Sequence, residues 1–342
     1  MDLSGVSAPV DDFSWSPTVS ADDVEPASTP ASSGVDDAAA AVQAQVAAAL
    51  NASTFAPPAE ATPDAIAPKR VTQPELPSGT GLSYGEVSGP LFKGPPTPQE
   101  AVQGGLGDCF YVASLAAVAE VQPEAIKQGI SDNGDGTYSV RVFGKTSDGT
   151  FVPQLFQVNG EVPVAPGVGQ VFTQSEDGSR WASLYEKGFA AANEGYANID
   201  GGIPPTALEA ITGKPASWTN IEKMSPNEVW GVLQGAGTVP MVAGTEPVRD
   251  DDPYYASRLG VRGLVPGHGY TVLGTSTEEG QRSVLVRNPW GQGEPANAKG
   301  MALDGVNDGV FKVRIEDFSQ YFSFVAKGGL ADVAPARPGV GG

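Results

Sequence analysis

The 342-residue chain has almost none of the residues that cross-link small folds: it contains one cysteine, Cys109, and one histidine, His268. A single cysteine excludes an intrachain disulfide framework, so the fold must be stabilised by its own hydrophobic core. These two residues cannot complete a four-ligand structural zinc site, whereas a metal site built from carboxylates stays open. With 40% apolar residues, the chain can bury a full core in about two domains.

Basic residues are also scarce. The chain has 20 Lys and Arg against 40 Asp and Glu, which gives a formal charge of −20. Such a chain repels phosphate backbones, and no basic cluster provides a local exception. We therefore predict no nucleic-acid partner.

Long apolar runs are missing as well. No segment approaches the ~18 continuous apolar residues of a membrane span. The first residues, from Met1 to Gly5, lack the basic and apolar regions of a signal peptide. We predict a soluble protein without a membrane span that is cytoplasmic by default, with secretion by a leaderless route as the alternative.

Composition divides the chain unevenly. Residues 1–87 are acidic and rich in Ala, Pro and Ser, so this extension buries too little apolar surface to offset the entropy of ordering and is predicted to be disordered. Within it, acidic residues followed by strong helix formers predict a helix over 36–50. Residues 88–330 are predicted to form the globular part, and the Pro- and Gly-rich residues 331–342 a disordered tail.

The globular part reads as an α+β protein. The small, apolar run Cys109–Val121 predicts a buried helix with Asp108 as its N-cap, and a second helix is predicted over Trp181–Ala197. Later β-branched runs bounded by Gly and Pro predict strands. Helices first and strands later indicate two lobes, an α-rich one over about 88–213 and a β-rich one over about 214–330.

Cys109 is a candidate nucleophile because it lies at the predicted first turn of a helix. A helix N-terminus stabilises negative charge and would favour the thiolate, which is the reactive form. The alternative is a buried structural cysteine, a frequent fate of a lone cysteine.

His268 is flanked by Gly267 and Gly269, which open space around the ring and strengthen its case as a catalytic base. The alternative is a histidine of the core or the surface. If the following strands are neighbours, Asn288 can orient the imidazole and Trp290 can shield that hydrogen bond. A nucleophile, a base and an orienting amide make up a Cys-His-Asn triad.

Three segments resemble the motifs of the calpain-type cysteine proteases, a papain-like family. Gln103-Gly104-Gly105-Leu106-Gly107-Asp108-Cys109-Phe110 is similar to the nucleophile motif, with Phe110 in place of the usual Trp. Residues 263–274 are similar to the histidine motif, and Arg287-Asn288-Pro289-Trp290-Gly291 to the asparagine motif. The resemblance covers about residues 88–327 and implies a papain-like, two-lobed cysteine protease core.

The resemblance also implies roles. Cys109 would attack a scissile carbonyl, and His268 would form an ion pair with its thiolate and later protonate the leaving amine. Asn288 would hold the ring, and the Gln103 side chain would donate to the oxyanion together with the Cys109 backbone N–H. The implied activity is an endopeptidase acting on proteins or peptides. Two alternatives stay open: a catalytically silent calpain-like module that binds a partner, and an acyl transferase using the same triad.

Calcium is the implied cofactor. By resemblance, Glu100 and Glu186 fall at first-lobe ligand positions, and Glu294 and Asp308 at second-lobe positions. The sequence departs from the family at two further positions: Val310 stands where another acidic ligand is common, and Met301 stands where Asp is common.

Overall fold

The computed structural model describes residues 71–247, 259, 264–295, 302 and 304–334. The helix predicted over 36–50, most of the predicted extension, Met301 and residues 335–342 lie outside the described residues.

The helix predicted over Cys109–Val121 is confirmed with the same bounds. The helices of the described residues are α1 (Cys109–Val121), α2 (Pro123–Gly129), α3 (Trp181–Ala192), α4 (Pro204–Thr212), α5 (Pro226–Val232) and α6 (Ile315–Tyr321), with 3₁₀ turns at Pro98–Glu100 and Tyr196–Ile199. Among the described residues, no helix combines the length and apolar character needed to cross a bilayer.

Twelve strands form three antiparallel sheets within the described ranges. One small sheet has the order β1-β5-β6, another β2-β3-β4, and the largest β11-β10-β9-β8-β12-β7. The strands are β1 (Ser83–Glu86), β2 (Ile130–Asp132), β3 (Thr137–Lys145), β4 (Phe151–Asn159), β5 (Glu161–Ala165), β6 (Gly169–Gln170), β7 (Ser217–Asn220), β8 (Met241–Gly244), β9 (Gly269–Glu278), β10 (Gln281–Arg287), β11 (Val310–Arg314) and β12 (Phe324–Lys327). The mixture of helices and sheets confirms the α+β class.

Two hydrophobic cores carry these elements. One is built mostly from residues 101–211 and surrounds α1 and α3, and the other is built from residues 221–325 between the six-stranded sheet and helices α5 and α6. The first part of the chain is therefore not only helical, because strands β1 to β6 belong to it. We refer to the two parts as the first and second lobes.

Helix α1 is buried along almost its whole length, from Phe110 to Ala119. Small side chains permit this burial, because they let other elements approach the helix on several sides. Ala113 and Ala117 pack against Val242 of β8, so α1 contacts the second lobe as well. Cys109, the first residue of α1, is thereby placed between the two cores.

A strap, residues 71–86, lies on the first lobe although the sequence places it in the extension. Its strand β1 pairs with β5, and Thr72 N–H donates to the Gln157 carbonyl at 2.7 Å. The buried Lys187 donates from Nζ to the Gln73 side chain at 2.8 Å, to the Glu161 carbonyl at 2.6 Å and to Asn159. Composition alone could not indicate this, because the strap pairs with groups far away in sequence.

The first residues of the predicted tail are also held on the first lobe. The Gln122 amide donates to the Ala331 carbonyl and accepts from its N–H, both at 2.8 Å. Gln128 makes the same pair of bonds with Ala334, at 2.9 and 2.8 Å. Residues 331–334 thus return from the second lobe's last strand to the first lobe.

Candidate active site

Cys109 lies at the start of α1, as predicted, and beside the start of β9. A Cβ on Gly269 would lie 3.6 Å from the Cys109 carbonyl oxygen, and the Gly269 backbone N–H favours the thiolate, so Cys109 lies next to the residue that follows His268. Part of the Cys109 surface stays exposed. The nucleophile candidate therefore meets the histidine segment across the boundary between the lobes.

The loop before Cys109 is packed tightly against residues 171 and 172. Gly105 N–H donates to the Val171 carbonyl at 2.7 Å, and a Cβ on Gly104 would overlap that same carbonyl. Gly107 N–H donates to the Asp200 carboxylate at 2.8 Å. The glycines of the motif allow this close approach of one backbone to another.

His268 and Asn288 come together as predicted from the strand arrangement. Strands β9 and β10 are paired, and His268 Nε2 lies 3.0 Å from Asn288 Oδ1. Asn288 is fully buried, and its Nδ2 donates to the Gly293 carbonyl at 3.1 Å. This bond fixes the amide so that its oxygen faces the imidazole, which leaves Nδ1 of His268 for the reaction.

Two aromatic rings border the imidazole. The Trp290 ring centroid lies 4.7 Å from that of His268, and the Tyr270 ring meets the imidazole edge-on at 5.0 Å. Trp290 N–H also donates to Asn288 Oδ1 at 3.1 Å. Trp290 thus lies beside the His268–Asn288 bond, the position in which it was expected to shield it.

Gln103 is buried close to the nucleophile loop. Its Nε2 donates to the Leu106 carbonyl at 2.7 Å, and its backbone N–H donates to the Pro289 carbonyl at 2.8 Å. Since a side-chain amide nitrogen carries two hydrogens, one N–H of Nε2 is left for another acceptor. Gln103 is therefore a packed residue and not a solvated loop residue.

Burial favours the neutral form of both titratable members of the site. It raises the pKa of the Cys109 thiol to about 11, with backbone N–H groups opposing it and the Asp108 charge adding to it. Burial also lowers the pKa of His268 to about 4, against the hydrogen bond that the imidazole shares with the Asn288 oxygen. The shift of Cys109 is opposite to that expected from the helix N-terminus alone, because burial outweighs the favourable helix end.

A buried carboxyl pair beneath the nucleophile was not predicted. Asp108 and Glu186 are at most 1% exposed, and neither Asp108 oxygen meets an N–H or O–H donor among the described residues. Asp108 was expected to cap α1, but its side chain makes no cap hydrogen bond. Burial, followed by the Glu186 charge, raises the pKa of Asp108 well above its ordinary value, and burial raises that of Glu186 to about 7. The raised pKa values favour one proton shared between the two carboxyls.

The first-lobe carboxylates predicted to bind calcium are held by protein donors. Glu100 Oε2 accepts from Trp181 Nε1 at 2.7 Å. Glu186 Oε1 accepts from Thr173 N–H at 3.0 Å, and Glu186 also contacts Asp108.

The second-lobe carboxylates are held in the same way. Glu294 Oε1 accepts from the N–H groups of Asp308 and Gly309, at 2.8 and 2.9 Å, and Asp308 Oδ1 accepts from Val310 N–H at 2.9 Å. Calcium takes six to eight oxygen ligands at ~2.3–2.6 Å. The described residues contain no group of three or more His, Cys, Asp or Glu placed to share a metal, so a calcium site here would need backbone carbonyls or waters as further ligands.

Comparison with known proteins shows the family to which the chain belongs. The calpain family cysteine protease profile matches residues 87–327. A calpain-type cysteine protease of Arabidopsis thaliana is 28% identical over 210 residues, 58% of this chain and 9% of that protein. The calpain-1 catalytic subunit of Mus musculus is 27% identical over 242 residues, which are 67% of this chain and 33% of the subunit. For the calpain-2 catalytic subunit of Homo sapiens the identity is 28% over 210 residues, 58% and 29% of the two chains. The chain thus spans at most about a third of the length of these relatives, and it belongs to the calpain family of cysteine proteases.

Proposed function

We propose that this chain is a cysteine endopeptidase that hydrolyses peptide bonds of proteins or peptides. The observation that carries the proposal is the 3.0 Å contact between His268 Nε2 and Asn288 Oδ1, at a point of the chain where Gly269 lies beside the Cys109 backbone. This arrangement supports a site in which a buried amide orients the sole histidine near the sole cysteine.

In the proposed reaction, the Cys109 sulfur attacks the scissile carbonyl carbon while its proton passes to Nδ1 of His268. An S–C bond forms and the carbonyl π bond breaks, which places negative charge on the oxygen. His268 then gives the proton to the amine as the C–N bond breaks. Water, deprotonated by His268, hydrolyses the resulting thioester and releases the acid.

The oxyanion needs donors at the place where its charge develops. The second N–H of Gln103 Nε2 and the backbone N–H of Cys109, at the free start of α1, are the proposed pair. Because burial favours the neutral thiol and the neutral imidazole, charge separates as the substrate reacts. The two N–H donors then stabilise the negative oxygen from positions that they already occupy.

The catalytic test compares the full-length chain with Cys109→Ala on casein or gelatin under reducing conditions. We expect cleavage by the unaltered chain and none by Cys109→Ala, because no other thiol is present. Absence of cleavage by both proteins would contradict the proposal and favour a silent binding module. Transfer of a peptide acyl group to an added amine in preference to water would favour the acyl transferase.

We further propose that this core acts without calcium, although the family resemblance implies that metal. One oxygen of each of these carboxylates already accepts hydrogen bonds, from Trp181, from Thr173 or from backbone N–H groups of residues 308–310. These contacts fix the carboxylates in place without a cation.

A further inference from the structure

Arg287 is a fully buried cation in the strand that leads into Asn288. Its side chain extends from the second lobe to two first-lobe carbonyls. Nη1 donates to the Ala101 carbonyl at 3.0 Å, and Nη2 donates to the Gln99 carbonyl at 3.2 Å. No described carboxylate lies within ion-pair distance of the guanidinium, and its Nε has no hydrogen-bond partner. A buried charge is costly without a full set of partners, so its presence calls for a reason beyond packing.

The two carbonyls belong to the segment that carries Gln103. A third bond across the same boundary runs from the Gln103 N–H to the Pro289 carbonyl at 2.8 Å. On its other side the segment is paired with Gln174 through Val102, at 3.0 and 2.9 Å. Residues 99–103 are therefore fixed to the strand end that carries Asn288.

We propose that Arg287 is a positioning residue that sets Gln103 relative to Asn288 and His268. Its planar fork reaches two carbonyls at once and so fixes the orientation of the segment as well as its distance, which a single-point donor cannot do. This assignment rests on the proposed peptidase function and adds a residue that touches neither the substrate nor the reacting atoms.

The test compares a reaction of Cys109 that uses the oxyanion donors with one that does not. A peptide aldehyde reacts by addition of the Cys109 S–H across its C=O: the S–C bond forms, the π bond breaks, and the proton reaches the oxygen by way of His268. That oxygen occupies the proposed oxyanion position. Alkylation of Cys109 by iodoacetamide also uses the thiol and His268, but it displaces iodide and forms no oxyanion. The ratio of the two readouts therefore reports the placement of Gln103.

For Arg287→Lys we expect aldehyde affinity to fall about ten-fold while the alkylation rate changes less than about two-fold, since a displaced oxyanion donor costs part of the 10²–10³ that its removal costs. In a Gln103→Ala background, Arg287→Lys should add little, because no donor is left to position. The matched control is Thr271→Val, which removes another buried bond between the lobes, from Thr271 Oγ1 to the Ala113 carbonyl at 2.9 Å. We expect it to shift both readouts together.

Equal loss in both readouts for Arg287→Lys, or full additivity with Gln103→Ala, would show that Arg287 only supports the fold. If the lysine variant does not fold, Ala101→Gly loosens the same segment and is judged by the same ratio. A chain that binds the aldehyde but cleaves no peptide refutes the peptidase proposal alone, and the Arg287 assignment is still decided by the affinities. An unaltered chain that binds no aldehyde overturns the Arg287 assignment as well.

Discussion

His268 is held at both its backbone and its ring. Its backbone N–H donates to Thr245 Oγ1 and its carbonyl accepts from Thr245 N–H, both at 3.0 Å, while Asn288 holds Nε2 of the ring. Burial disfavours the imidazolium, and the Asn288 bond partly offsets this. The ring is thus kept in one orientation, with a pKa of about 4 that leaves Nδ1 free to accept a proton.

Asn288→Ala should lower kcat by about 10², within the range of a mispositioned general base. Loss of the bond also removes the influence that raises the pKa of His268, so the imidazolium becomes still less favourable. Peptide cleavage across pH measures the effect. Ser276→Ala, in β9 and away from the site, serves as the control, and equal activity of Asn288→Ala and that control would refute the orienting role.

The Asp108–Glu186 pair makes folding stability depend on pH. Both carboxyls have raised pKa values in the fold, chiefly through burial, so the native state holds more protons than the unfolded state between pH 4.5 and about 7. The pair's contribution is complete below the unfolded pKa values and is lost as pH rises through the folded ones. The unfolding free energy should fall over this interval by up to about 1.4 kcal/mol per pH unit for each proton.

Asp108→Asn should flatten that dependence. An Asn amide donates permanently to Glu186, which lets Glu186 ionise without losing its hydrogen bond. Chemical denaturation at about pH 5 and about pH 7 measures the difference between the two proteins. The exposed Asp135, replaced by Asn, is the control. An unchanged slope in Asp108→Asn would contradict the shared proton.

At the scale of elements, the strap of residues 71–86 is part of the folded first lobe. Burial lowers the pKa of Lys187 to about 7, although several oxygens surround its Nζ. Gln73 supplies one of those acceptors from the strap, so removing the strap leaves a buried amine with fewer partners and exposes the edge of β5.

A chain that begins at residue 88 should therefore be destabilised by several kcal/mol relative to one that begins at residue 71, since it loses buried hydrogen bonds worth about 1 kcal/mol each and a strand pairing. Thermal unfolding of the two truncated chains and the full chain measures this. Lys187→Met should narrow the gap, because the buried amine is then absent. Equal melting temperatures at both starting points would show that the strap contributes nothing.

Local patterns predicted individual elements well. The small apolar run gave α1 its observed bounds, and Ser225 with Glu228 forms a capping box at the start of α5. The helix predicted over Trp181–Ala197 ends instead at Ala192, where Glu194 takes a left-handed φ of 65° and Gly195 N–H closes on the Ala190 carbonyl at 2.9 Å. Asn193 and Gly195 are residues common at helix ends, whereas the left-handed conformation of Glu194 is rare for a residue other than glycine.

Contacts between distant segments account for most of what the sequence could not predict. The contact between His268 and Asn288 followed from motifs and strand order. The Asp108–Glu186 pair, the strap and the reach of Arg287 depend on residues about 80 to 190 positions apart. Burial of polar groups between such segments is decided by tertiary packing, which periodicity does not record.

At the scale of the whole molecule, the two cores are joined by buried polar bonds. Thr271 to Ala113 and Arg287 to Gln99 and Ala101 cross the boundary at which the candidate site lies. These contacts hold the lobes in register through side chains and carbonyls of the chain itself.

Peptidase activity should consequently survive removal of calcium. We expect EGTA to change the cleavage rate by less than about two-fold, because protein donors already hold one oxygen of each carboxylate at the predicted ligand positions. Titration of activity against calcium and chelator measures this, with Glu294→Gln and Asp308→Asn as variants of the second-lobe positions. Activity that disappears in EGTA and returns with calcium would show that these acidic residues rearrange to bind the metal.

The contacts of Gln122 and Gln128 with residues 331–334 also bear on which sequence changes the tail tolerates. Each glutamine amide hydrogen-bonds the backbone N–H and the backbone C=O of a single residue. Every amino acid has both groups except proline, which lacks the N–H. Ala334 is exposed, so its side chain is free to vary while its attachment stays the same. Among homologous chains that keep both glutamines, position 334 should therefore drift widely in identity yet exclude proline.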